Sequence, residues 1–194
     1  MQPDHRTEAV DSPLVDPAER ELPGEPPRPA PHTTAELDAL TGLLTAPRSR
    51  TATVVVGHSR DTASSQSAEA FTEAWEAGGG TVLAVADWPE TAASWLRAAR
   101  RMTAETPDAW VMAAAVPGFV QLARRLRHST SWEPSRTYCF GSLCDPRVLA
   151  LAGPGVLHGL RGASADGGTW EVRGGWVTRF PARRDDDRAR SAAR

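Results

Sequence analysis

Between Thr51 and about Leu160 the chain alternates short apolar runs with stretches of helical periodicity. Thr51-Ala-Thr-Val-Val-Val-Gly57 is β-branched, too short for a helix and apolar enough for a strand buried on both faces. A polar loop, His58 to Ala63, follows. Ser64 to Ala77 then places Ala68, Phe71, Ala74 and Trp75 at helical spacing, and three glycines at 78–80 stop the helix. Thr81 to Ala86 reads as a second strand and Asp87-Trp88-Pro89 as a turn. Glu90 to Glu105 reads as a helix with Trp95, Leu96, Ala99 and Met102 along one side, and Asp108 to Ala115 as a third strand. Pro117 suits the first turn of the next helix, which carries Phe119, Val120, Leu122, Ala123 and Leu126. Arg136 to Gly141 is the fourth predicted strand, Asp145-Pro146 opens a short helix, and Gly155 to Leu160 is the fifth strand.

Strands and helices alternating at these lengths predict an α/β fold: a doubly wound, mostly parallel open sheet forming a single Rossmann-like lobe. Val54, Val55, Leu83, Val111 and Phe140 are expected inside it. The end differs, because Thr169–Arg173 and Trp176–Phe180 flank Gly174-Gly175 as a β-hairpin. Ahead of the sheet, Thr34 reads as the N-cap of a helix with Glu36 and Asp38 in its first turn. Leu37, Leu40, Leu43 and Leu44 lie on one face of that helix, which ends before Pro47. Residues 1–32 hold eight of the sixteen prolines, and seven acidic residues against three arginines. So little apolar surface cannot offset chain entropy, which predicts a disordered tail over 1–33. The single lobe then spans 34–182, and a frayed tail around Asp185-Asp186-Asp187 spans 183–194.

Charge narrows the partners. All 22 basic residues are Arg, and the chain has neither Lys, Ile nor Asn, a bias that follows from GC-rich codons. The net charge of −2 and pI near 6.2 give no basic excess, so no nucleic-acid partner is expected. No stretch approaches the ~18 apolar residues of a membrane span, and the N-terminus has no apolar signal core. The sequence as it stands therefore reads as cytoplasmic. Cys139 and Cys144 can reach each other, but Cys139 reads better as a small buried hydrophobe. No metal and no cofactor are expected, since neither the cysteines nor the consecutive carboxylates have ligand spacing.

Several segments, in order, match a known pattern. Ala70-Phe71-Thr72-Glu73-Ala74-Trp75-Glu76-Ala77-Gly78-Gly79 is similar to an "aFxxalxxxGG" helix end, and Thr106 to Val111 to an "xPDavv" lead into a strand. Val116-Pro117-Gly118-Phe119 through Leu126 resembles the helix bearing "liKqaRelG". Tyr138 to Ser142 sits where that pattern has a strand ending in Gly and a polar residue, and Gly155-Val156 where it has "xGv". From Thr51 to about Gly162 the chain thus resembles the type 1 periplasmic-binding-protein-like family. The nearest branch is the branched-chain amino acid type of ABC-transporter substrate-binding protein, and the resemblance is to the second lobe only. It implies a non-enzymatic lobe that binds an amino-acid-like small molecule in an extracytoplasmic setting. Because such receptors hold ligand between two lobes, it also implies weak binding by this chain alone. Self-association, or a separate chain supplying the first lobe, is the expected partnership. Where the family often has an acidic residue after the fourth strand, this chain has Ser142, with Asp145 three residues on.

In open α/β sheets ligands meet the loops at the carboxyl ends of the strands. The ligand-binding candidates are accordingly His58, Ser59, Arg60, Asp61, Trp88, Val116, Ser142 and Asp145. The amides of the helix starting near Ser64 suit an anion, and the same loop equally reads as an ordinary turn with Ser64 as N-cap. Gly57-His58-Ser59-Arg60-Asp61 also resembles the G-x-S-x-G nucleophile elbow of α/β-hydrolases, with Asp145 and His158 following in Ser, Asp, His order. That alternative makes the chain a serine hydrolase. Asp61 stands against it, crowding the last small position of a strained turn. A partner-binding or structural domain is the third reading. Trp88 and Trp132, in predicted loops, are placed to stack on a ligand or partner, whereas Trp75, Trp95 and Trp110 read as core. Arg124, Arg125, Arg127 and His128 read as a solvated helix face.

Overall fold

The computed structural model describes residues 26–47 and 49–182. The tail expected up to residue 25 and the tail expected over 183–194 lie outside the described residues.

The elements follow the predicted alternation. Helix α1 (Thr34–Thr45) precedes strand β1 (Thr53–Ser59), helix α2 (Thr62–Ala77), β2 (Thr81–Trp88) and α3 (Leu96–Met102). Then come β3 (Ala109–Ala113), α4 (Val116–Ser129), β4 (Thr137–Cys139), α5 (Pro146–Ala152), β5 (Arg161–Ala163), β6 (Thr169–Arg173) and β7 (Trp176–Phe180). One seven-stranded sheet results, ordered β2-β1-β3-β4-β5-β6-β7. Its first five strands are parallel, and β6 and β7 join antiparallel. The fold is the expected α/β, mostly parallel open sheet with a C-terminal hairpin.

Successive residues of a strand point to opposite faces, so a strand covered on both sides must be apolar throughout. In β1, Val55 enters a core with Trp110, Met112, Phe119 and Leu122, beneath α3, α4 and α5. Val54 and Val56 enter a second core with Phe71, Trp75, Val111 and Phe140, beneath α1 and α2. Strand β2 differs because it is the outer strand. Val54 pairs with Val82 but Val55 with Ala84, so Leu83 is the extra residue of a β-bulge. Leu83, expected in the core, is 37% exposed, and Val85 is 46% exposed.

Three other boundaries moved for local physical reasons. Residues 155–160 do not form a strand, because Gly153, Gly155 and Gly159 take positive φ (89°, 73° and 88°) and wind the chain through turns. The fifth strand starts at Arg161 instead. The helix expected over 90–105 shortens to α3, since the Glu90 carboxylate turns to accept the Gly118 amide (2.8 Å) at the start of α4. Caps also shifted by a few residues. Thr33, not Thr34, caps α1 by accepting from the Glu36 amide (3.1 Å), and Asp61, not Ser64, caps α2 by accepting from the Ser64 amide (2.9 Å).

Candidate functional site

The parallel strands bring the loops after β1, β2, β3 and β4 to one edge of the sheet, and the candidates separate there by burial. Strand β1 runs on through His58 and Ser59 and α2 begins at Thr62, so the predicted polar loop shrinks to Arg60 and Asp61. Ser59 is fully buried, and its Oγ accepts the Ala115 amide at 3.0 Å, tying β1 to the turn before α4. His58 is half-buried with Nδ1 at 2.8 Å from the Ser59 carbonyl. Arg60 is exposed and pairs with Asp87 at 2.6 Å, and Arg101 reaches the same carboxylate at 3.3 Å. The Arg60 hydrogen bond holds the Asp87 carboxyl below its ordinary pKa.

Trp88 and Val116 are corrections. Trp88 is the last residue of β2, not part of a turn, and both side chains are fully buried in the core under α3 and α4. Trp132 does stand in a loop, but its side chain is buried in that core and not open to stacking, while Trp95 is only partly buried against it. Large apolar side chains beside an uncovered core gain more by filling it than by facing water.

The hydrolase constellation does not assemble. Asp145 caps α5, accepting from the Arg147 amide (2.8 Å) and its guanidinium (2.7 Å), which holds its carboxyl below the usual range. His158 is exposed in the turns that precede β5. In a parallel sheet that puts it at the amino edge, across the sheet from Ser59. Cys139 and Cys144 are free and buried, and burial pushes both thiols above their ordinary pKa. No helix among the described residues is long and apolar enough to cross a membrane.

The carboxyl edge does carry a cavity of about 260 Å³, over the ends of β3 and β4. Its walls are Ser64 and Ser67 of α2, Glu36 of α1, Ser142, and Arg179 of β7. Residues 27–31, Arg28 among them, complete its lining. That segment fell within the predicted tail, yet it packs on the sheet edge. The ring of His32 meets Phe140 edge-on at 6.2 Å, and the Thr33 hydroxyl donates to the Ala165 carbonyl at 2.7 Å. Glu36 is 5% exposed and its Oε1 accepts the Gly141 amide at 2.5 Å. Desolvation raises the Glu36 pKa against the lowering effect of that amide. Ser64 is 2% exposed and its hydroxyl has no hydrogen-bond partner. Arg179 donates to the Cys144 carbonyl at 2.8 Å.

Of the residues named from sequence, only Ser142 lines this cavity. The sequence singles out neither Glu36 nor Arg179 as a site residue, and Ser64 only as a helix start whose amides suit an anion. For Glu36 a signal existed, since its spacing of four from Leu40 and eight from Leu44 puts it on the buried face of α1. For Arg179 none existed, because only the fold brings the last strand to this edge.

Solved structures share this architecture. A substrate-binding periplasmic protein from Ralstonia solanacearum matches with a TM-score of 0.57 and 19% identity, over 69% of this chain and 37% of its own. A leucine binding protein from Thermotoga maritima matches at 0.54 and 16% identity, over 63% and 34%. The branched-chain amino acid transporter substrate binding protein of Streptococcus pneumoniae, solved in complex with isoleucine, matches at 0.56 and 12%, over 66% and 35%. The chain is similar in fold to one lobe of such proteins. It spans about a third of their length. These neighbours are substrate-binding or leucine-binding proteins. No protein-family model and no curated protein matches the chain.

Proposed function

We propose that this chain is a small-molecule-binding lobe whose ligand is amino-acid-like and sits at the carboxyl edge of the sheet. The observation that carries the reading is the cavity over the ends of β3 and β4, lined by Glu36, Ser142 and Arg179. The likeness in fold to a leucine binding protein and to a protein solved with isoleucine supports the ligand class. Size agrees. Pockets for drug-sized ligands hold about 300–1,000 Å³, so one of about 260 Å³ suits a molecule with few heavy atoms.

One lobe and a short segment offer few contacts, and binding must first offset several kcal/mol of lost translational and rotational freedom. Free amino acids are therefore expected to bind with a Kd of about 1 mM, equivalent to about −4 kcal/mol. Titration calorimetry with leucine, isoleucine and glycine tests this, with short acyl esters as the control for hydrolysis. Saturable heat from an amino acid is the expected result. Ester turnover without amino acid binding would overturn the reading.

A further inference from the structure

Among the described residues the sheet ends in two open edges, β2 and β7, and they are not alike. Edge β2 is broken by the bulge at Leu83, a device that twists an edge away from further pairing. Strand β7 pairs with β6 without a bulge and carries a single charge, Arg179. Trp176 is 77% exposed and Phe180 43%, and with Thr178 between them they share one face of the strand. The turn before β7 sets which backbone groups are free. Arg173 and Trp176 flank Gly174-Gly175, whose positive φ values (55° and 84°) make a type I′ hairpin turn. The two residues that close such a turn are hydrogen bonded to each other, and bonded and non-bonded pairs alternate along an antiparallel ladder. Trp176, Thr178 and Phe180 therefore aim their amides and carbonyls at β6, and Val177 and Arg179 aim theirs at the open edge.

That pattern is self-complementary. A second copy laid antiparallel along β7, with Thr178 opposite its own counterpart, pairs Val177 with Arg179 through the free backbone groups. The same register sets Trp176 directly opposite Phe180 of the second copy, and does so twice. Aromatic cross-strand pairs stabilise a sheet. Centring the pairing on Val177 or Arg179 instead separates the rings. The Arg179 side chain leaves on the other face and turns back to the Cys144 carbonyl of its own copy (2.8 Å), away from the rings. We propose that the chain forms a two-fold dimer through β7, joining two seven-stranded sheets into one. At 150–250 Å² for an aromatic side chain, Trp176 and Phe180 expose roughly 250 Å² per copy. Two copies hide about twice that, together with two short strand edges. Interfaces below about 1,200 Å² are weak, so the dimer is concentration-dependent. Neither Trp176 nor Phe180 lines the carboxyl-edge cavity, and the dimer does not depend on a ligand there.

The test is sedimentation velocity on the full chain, from low micromolar to millimolar concentration. Wild type is expected to pass from monomer to dimer across that range. Trp176→Ala should raise the dimer Kd by about tenfold or more, as loss of a tryptophan anchor does. Thr178→Lys should raise it by about threefold or more, because it sets like charges directly opposite each other at the two-fold axis. Both positions are exposed, so the fold is expected to persist. Oxidation of Thr178→Cys reads the register separately. Opposite residues of a non-bonded pair have Cα atoms about 4.5 Å apart, within disulfide reach. Thr178→Cys should therefore form a covalent dimer. Wild type, whose Cys139 and Cys144 are buried, and Ser129→Cys, exposed on α4, should not. A chain that stays monomeric throughout overturns the proposal and leaves the strand to a different partner. A dimer that both Trp176→Ala and Thr178→Lys leave undiminished overturns it as well. So does cross-linking of Thr178→Cys no faster than that of Ser129→Cys.

Discussion

The Ser59 hydroxyl accepts the Ala115 amide in a place closed to solvent. Removing one partner of a buried hydrogen bond leaves the other unsatisfied, at a cost of about 1–3 kcal/mol. Ser59→Ala is therefore expected to lower the urea midpoint by an amount in that range while leaving the leucine response unchanged. A wild-type midpoint would show that Ala115 finds another acceptor. Loss of an esterase activity in the variant would revive the nucleophile. Trp88 and Val116 follow the same logic from the apolar side, since each fills the core beneath the loop it was expected to line.

At the scale of elements, the contact between α1 and the turn after β4 is held by a single ionisable group. Gly141 begins a 3-10 turn (Gly141–Leu143), and Glu36 accepts its first amide. Burial raises the Glu36 pKa from 4.5, with His32 nearby acting in the lowering direction. The folded state then binds that proton more readily than the unfolded chain. The contribution is fully present below about pH 4.5 and is lost as pH rises through the folded value. Asp87, Asp108 and Asp145 are lowered from 3.8, mainly by Arg60, by the Ala52 and Thr53 amides, and by Arg147. Their contribution is present above that value and lost as pH falls through their folded pKa values. Thermal midpoints of wild type and Glu36→Gln should thus diverge as pH rises from acid to neutral, with the variant higher. A constant gap across that range would show that Glu36 titrates as in the unfolded chain.

At the scale of the molecule, the hairpin continues the parallel sheet without a break. β5 pairs antiparallel with β6, and Trp170 of β6 is buried in the core under α4 and α5, its Nε1 bonded to the Ala163 carbonyl (3.0 Å). Gly162 lies opposite it, with no room for a side chain: a Cβ there would fall 2.2 Å from the Cys139 carbonyl. With the hairpin tied into a core that β1 also enters, unfolding should be one transition. Tryptophan fluorescence and far-UV circular dichroism in urea should then give coincident curves. A separate early fluorescence phase would mean that the hairpin leaves on its own.

Element type and order were legible along the chain. A β-branched run of a few residues can satisfy its backbone only by pairing, and β3, apolar at every position, can be buried only on both faces. The Asp145-Pro146 helix start and the Gly174-Gly175 turn were legible for the same reason, being local backbone chemistry. Strand 155–160 failed because apolar composition competes there with positive φ at Gly155 and Gly159, and backbone geometry won. Leu83 failed because the pattern does not say which strand stands at the edge. The cavity is the extreme case. Glu36, Ser64, Arg179 and residues 27–31 are far apart in the chain, and only sheet order and helix packing bring them to one edge. Local pattern determined what each segment is, because backbone satisfaction and side-chain periodicity are settled within a few residues. The tertiary structure alone decided which polar groups lose their water together, because burial depends on every neighbour at once.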